Sequence, residues 1–99
     1  MFVAIWEYEV RAGCEAAFEA LYGSDGEWVA LFREHDGYIR TELLRDLDQV
    51  RRFVTIDRWT TAESYSAFLT AAKPRYAQID ARGDALTLDE RRIGTYTTP

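Results

Sequence analysis

The chain has 99 residues, 47% of them hydrophobic, with a formal net charge of −5 and one cysteine and one histidine. That length suits one domain able to fold without disulfides or a metal. The acidic balance excludes a nucleic-acid or anionic-membrane surface, which needs clustered cations, and the lone Cys14 excludes an intramolecular disulfide and suits a reducing compartment.

Residues 2–11 read as a strand, with Phe2, Ala4, Trp6, Tyr8 and Val10 on one face and apolar Val3 and Ile5 on the other. Gly13 permits the turn into a helix over about 14–22 that carries Ala17, Phe18 and Leu21 inward. Gly23-Ser24-Asp25-Gly26 interrupts it, and Ser24 with Glu27 has the form of a capping box that restarts it. The restarted piece spaces Trp28, Leu31, Phe32 and His35 along one helical face, ended by Asp36-Gly37. Strands follow at about 38–46 and 51–59, joined around Asp46-Leu47-Asp48-Gln49 by a turn short enough for an antiparallel hairpin. Thr60 with Glu63 repeats the capping-box pattern, so a helix is expected from about 61, presenting Tyr65, Phe68, Leu69 and Ala72. Pro74 removes a backbone donor and should kink or restart that helix, with Tyr76 and Ile79 inward and Gly83 closing it. A last strand covers about 85–97. With no charged-then-apolar leader and no long apolar run, a soluble cytoplasmic protein is expected.

The pattern F-V-x-I occurs twice, at Phe2-Val3-Ala4-Ile5 and Phe53-Val54-Thr55-Ile56, and each copy reaches a large aromatic six residues after its Phe, Tyr8 and Trp59. Two β-α-β halves follow, and with them an α+β fold: ferredoxin-like βαββαβ, an antiparallel sheet with helices on one face. The other face must then find a partner. Three Trp, six Tyr and five Phe are more bulky apolar surface than a thin two-layer fold hides, so some should line a cavity or an interface.

Gly26-x-Trp28-x-x-Leu31-Phe32, Gly37-Tyr38-x-x-Thr41-x-Leu43-Leu44-Arg45-Asp46, Asp57-x-Trp59 and Tyr65-x-x-Phe68 together resemble antibiotic-biosynthesis monooxygenase domains, over essentially the whole chain. The resemblance implies a homodimeric α+β barrel in which the open sheet faces of two subunits pack together, each subunit keeping a pocket between its sheet and helices. It also implies oxidation of a polycyclic phenol by O2 without metal, flavin or haem. The Trp and Tyr that take part in such oxygenases correspond to Trp59 and Tyr65, while an assisting Asn corresponds to Thr55. In the haem-degrading branch, the Asn of the first strand and the Trp and His of the second helix align with Trp6, Phe68 and Tyr76, so the proximal iron ligand is missing and haem degradation is not expected.

The catalytic candidates are therefore Trp59, Tyr65 and His35, with Trp6, Phe32, Thr55, Phe68 and Tyr76 as substrate-binding residues. Trp59 also reads as core, and Tyr65 as an amphipathic core tyrosine with a wet hydroxyl. His35 is the only side chain whose ordinary pKa lies near neutrality, which suits a proton acceptor; its place in a last helical turn equally suits a structural contact with free carbonyls. Asp57 is an alternative base if it is buried on the pocket face, although pairing with Arg40, Arg58 or Arg92 across the sheet is the expected use. Cys14 has no neighbouring His or resolving Cys and reads as structural. One His and one Cys build no conventional zinc site, and the scattered glycines form no phosphate-binding loop. The expectation is a cofactor-independent monooxygenase acting on a small aromatic or polyketide-like phenol, with no metal or other cofactor. The alternatives are a non-catalytic dimeric module binding an apolar metabolite, and an isomerase or cyclase on the same barrel.

Overall fold

The repeated F-V-x-I strands lie side by side at the centre of the sheet. In the computed structural model, which describes residues 1–99, the elements run β1 (Phe2–Val10), α1 (Glu15–Tyr22), α2 (Glu27–Phe32), β2 (Tyr38–Arg45), β3 (Arg52–Trp59), α3 (Ala62–Ala71), α4 (Lys73–Leu86) and β4 (Thr87–Thr97). The strands form one antiparallel sheet in the order β2-β3-β1-β4. This is the βαββαβ, ferredoxin-like arrangement, with each helical connection broken in two. β1 and β3 pair with Ile5 opposite Ile56, Phe2 opposite Trp59 and Tyr8 opposite Phe53. Equivalent positions of the two repeats are thus exchanged across the pair, as a local twofold axis between Ile5 and Ile56 requires.

Alternation along the strands decides which side chains meet the helices. On β3, Phe53, Thr55, Asp57 and Trp59 are buried while Arg52, Val54, Ile56 and Arg58 are half-buried on the opposite side. On β1, Phe2, Ala4, Tyr8 and Val10 are buried on the helix side. All four helices cover that face, contributing Phe18, Leu31, Phe32, Phe68 and Ile79 to one continuous core. The uncovered face carries Val3, Ile5, Val54 and Ile56, with Leu44 48% and Tyr96 51% exposed beside them. Arg58 pairs with Glu42 at 2.8 Å, and Arg91 with Glu7 at 2.7 Å. No helix is long and apolar enough to cross a membrane.

Several local expectations are corrected. In α1 the buried stripe is Phe18, Leu21 and Tyr22, spaced i, i+3 and i+4, and Ala17 falls outside it and is exposed. Ser24 caps nothing: Gly26, in extended backbone, is the N-cap of α2, and a Cβ there would collide with the carbonyls of Ala20 and Leu21. Thr61, not Thr60, caps α3, accepting from the Ser64 N–H at 3.0 Å. The restart expected at Pro74 is observed: the proline stands in the first turn of α4, where its missing donor costs nothing, and the break falls between Ala71 and Lys73. Gly83 does not end that helix, which continues to Leu86. It is buried under Tyr22, and a Cβ would overlap the tyrosine hydroxyl. Gly37 holds φ at +91° before β2, with the Ser64 side chain filling the space a Cβ would need.

Candidate functional site

A cavity of about 30 Å³ lies between the inner sheet face and the helices. Roughly 10–15 Å³ of such space admits one water, so this one has room for two or three. Its buried lining comes from the sheet as Tyr8, Thr55 and Asp57, from α1 and α2 as Tyr22, Trp28 and Phe32, and from α3 as Phe68. Half-buried Trp6, Thr41, Tyr65, Tyr76, Asp80 and Glu90 complete it. Five of the aromatic residues expected at a pocket, Trp6, Phe32, Tyr65, Phe68 and Tyr76, are therefore brought together, and Thr55 joins them. Its hydroxyl is engaged by Tyr8 Oη at 3.1 Å.

Asp57 is the group with the clearest chemistry. Strand parity turns it inward, where it is 8% exposed. Thr41 Oγ1 donates to Asp57 Oδ1 at 2.7 Å and itself accepts from Tyr38 Oη at 2.9 Å. Asp57 forms no ion pair, and Oδ2 accepts no hydrogen bond from the chain. The expected pairing with arginine does not form, because neighbouring Arg58 projects to the opposite face and engages Glu42. Burial lifts the Asp57 carboxyl from 3.8 to about 6, against the lowering effect of the Thr41 bond. A carboxylate so placed is ionised at neutral pH yet accepts a proton more readily than an exposed one.

Tyr65 stands in the first half of α3 with its ring stacked on Phe2 at 4.9 Å. Burial, then the nearby Asp57 charge, raises its phenolic pKa above the usual value, so its hydroxyl stays a donor. Trp59 does not line the cavity. It is fully buried behind it, with ring centroids 5.1 Å from Phe68, 5.8 Å from Phe32 and 5.8 Å from Tyr65, and its Nε1 has no hydrogen-bond partner. His35 also lies off the cavity: α2 ends at Phe32, the His35 N–H donates to the Phe32 carbonyl at 3.0 Å, and its ring meets Phe68 edge-on at 5.0 Å.

Two lining carboxylates escape a reading by sequence. Glu90 reaches the cavity because β4 pairs it with Tyr8, and Asp80 because it follows Tyr76 by one helical turn on α4. With Asp84 they place carboxylate oxygens within 4.8 Å of one another, a spacing open to a cation. Burial and the charges of Asp80 and Asp84 lift Glu90 to about 7. Helical spacing from Tyr76 is the one signal that could have found Asp80, and it could not have found Glu90.

A family model described as antibiotic biosynthesis monooxygenase matches residues 1–78. No curated protein matches the chain. Among solved structures, a mutant of SnoaB, a cofactor-independent oxygenase from Streptomyces nogalater, is 25% identical with a TM-score of 0.82, over 98% of this chain and 91% of that one. Unmutated SnoaB is 24% identical with a TM-score of 0.81, over 99% and 92% of the respective chains. A conserved protein from Methanosarcina mazei shares the fold at 12% identity and a TM-score of 0.75, over 99% of this chain and 92% of that one.

Proposed function

The chain belongs to the antibiotic biosynthesis monooxygenase family, and from that premise we propose that it oxidises a small aromatic or polyketide-like phenol with O2, without a bound cofactor. Asp57 carries this reading, as an unpaired carboxylate 8% exposed in an aromatic cavity. Ionised Asp57 takes the phenolic proton, and the electron-rich phenolate gives one electron to O2 in a site that excludes bulk water. The substrate radical and superoxide then join at a ring carbon, forming a C–O bond as a hydroperoxide once a proton is returned. Loss of water, with the hydrogen of that carbon, leaves a quinone carbonyl. One oxygen atom enters the product and the other departs as water.

Tyr65 donates to the substrate oxygen, and Trp59 acts from behind by holding Tyr65 and Phe68 in place. The base role proposed for His35 passes to Asp57. An apolar cavity of about 150 Å³ takes benzene, so admission of an aromatic ring requires half-buried Trp6, Tyr65 or Tyr76 to rotate outward. SnoaB, as a cofactor-independent oxygenase, supports the reaction class. The apolar uncovered face, with Ile5 and Ile56 at its centre, supports a homodimer formed through the sheets.

Thr55, whose hydroxyl is engaged by Tyr8, stands where the resembling oxygenases carry an Asn. That favours a second reading, a binding module or a proton-transferring isomerase or cyclase. Oxygen uptake with anthrone- and hydroquinone-like compounds separates these readings. The expected result is uptake matched by quinone formation, reduced by about 10²-fold or more in Tyr65→Phe. Wild-type protein that binds these compounds and consumes no oxygen would establish the second reading.

A further inference from the structure

Resting on the reading of this cavity as a phenol site, we propose that its substrate carries a protonated amine, the ammonium group seated by Asp80 and Glu90 while the phenol hydroxyl meets Asp57. Three carboxylates line the cavity, and no lysine, arginine or histidine lies among the lining residues. Neither Asp80 nor Glu90 accepts a side-chain hydrogen bond or forms an ion pair. Of the arginines on adjoining segments, Arg82 pairs with Glu27 and Arg91 with Glu7 at 2.7 Å, whereas Arg92 forms no ion pair and its charge acts on Tyr65.

The deeper carboxylate adds an independent observation. Asp57 is 8% exposed, lines the same cavity, and leaves Oδ2 without a partner from the chain. Buried carboxylates without cations are costly unless something that binds there compensates them. The remaining lining supplies what a cation needs, since Tyr76 lies one helical turn before Asp80 and Tyr8 lies opposite Glu90 across the sheet. Both rings can add cation–π attraction to the ionic contacts.

The chemistry gives the same direction. Passing the phenolic proton to Asp57 moves negative charge from that carboxylate onto the phenolate, in a cavity that also holds charge at Asp80 and, in part, at Glu90, whose carboxyl is lifted to about 7. A neutral phenol would meet that repulsion in full. A substrate with its own ammonium group brings the counter-charge with it, lowering the cost of the phenolate. Asp84, the third carboxylate of the group, lies toward solvent and makes a divalent cation the rival occupant.

The test compares tyramine with tyrosol, which replaces its ammonium by a hydroxyl, by calorimetric or tryptophan-fluorescence titration in EDTA. Tyramine is expected to bind about tenfold more tightly or better, as charge-assisted contacts provide. The preference is expected to vanish in the Asp80→Asn, Glu90→Gln double variant. Equal affinities in wild type, no binding of either compound, or a preference that survives the double substitution would overturn the proposal. So would binding of Mg2+ or Ca2+ alone with no preference for tyramine. Oxygen uptake by the tyramine complex is read separately: preference without uptake keeps amine recognition and removes the oxygenase reading, whereas uptake with anthrone-like phenols and no amine preference does the reverse.

Discussion

Replacing Asp57 by Asn should make the protein more stable and less active, a combination that packing residues do not show. The substitution keeps shape and removes charge. In the folded chain the carboxyl pKa is lifted from 3.8 to about 6 by burial. A folded value above the unfolded one means that the native state holds the proton more tightly. The stabilisation is therefore fully present below about pH 4 and is lost as pH rises through about 6. A shift of roughly two units corresponds to about 3 kcal/mol at full ionisation. Asn carries no ionisation penalty, although its amide needs partners of its own, so the expected gain at about pH 8 is about 1–3 kcal/mol. Near pH 4 the difference should close. Turnover should fall by about 10²–10⁴-fold. Denaturant unfolding at both pH values and an oxygen electrode measure the two effects. A variant less stable than wild type at pH 8 would show that ionised Asp57 is well paired, and undiminished turnover would remove it as the base.

Wild-type turnover should rise through about pH 6 as Asp57 ionises, and Thr41→Val should move that limb to higher pH by deleting the hydrogen bond that lowers the carboxyl's pKa; a flat profile between about pH 5 and 8 would contradict this. Gly83→Ala should cost about 1–3 kcal/mol in denaturant unfolding through overlap with Tyr22, and Tyr22→Phe in the same chain should recover part of it. Ile56→Glu, at the centre of the uncovered face, should convert a dimer to a folded monomer in sedimentation velocity; a monomeric wild type would remove the dimer.

The sheet was legible because period-2 alternation is a backbone property: parity alone put Thr55, Asp57 and Trp59 on one side, and the structure keeps them there. Parity says nothing about depth. Trp59 and Asp57 share a face, yet only Asp57 opens on the cavity, because Trp59 sits where Phe32, Tyr38 and Phe68 close over it. Helix ends were less legible. Ser24 and Thr60 each begin a capping-box pattern, but backbone dihedrals selected Gly26 and Thr61 as the caps. Gly83 reads as a helix stop until the tertiary contact with Tyr22 is known. Glu90 was unreadable as a site residue, since its place depends on the register between β1 and β4 at opposite ends of the chain.

The central position of β1 bears on how the protein is made. Of the four strands of the sheet, β1 leaves the ribosome before the others and its two neighbours come last, since Phe2 pairs with Trp59 on one side and Thr97 on the other. At about 5–20 residues per second, the strand waits several seconds with both edges bare. Its sequence, FVAIWEYEV, is apolar and β-prone enough to pair with another nascent chain. Glu7 and Glu9 interrupt the apolar run on its outward side and act as gatekeepers during that interval. Charge-neutral replacements there should lower the yield of soluble protein during synthesis more than they lower the stability of molecules that have already folded.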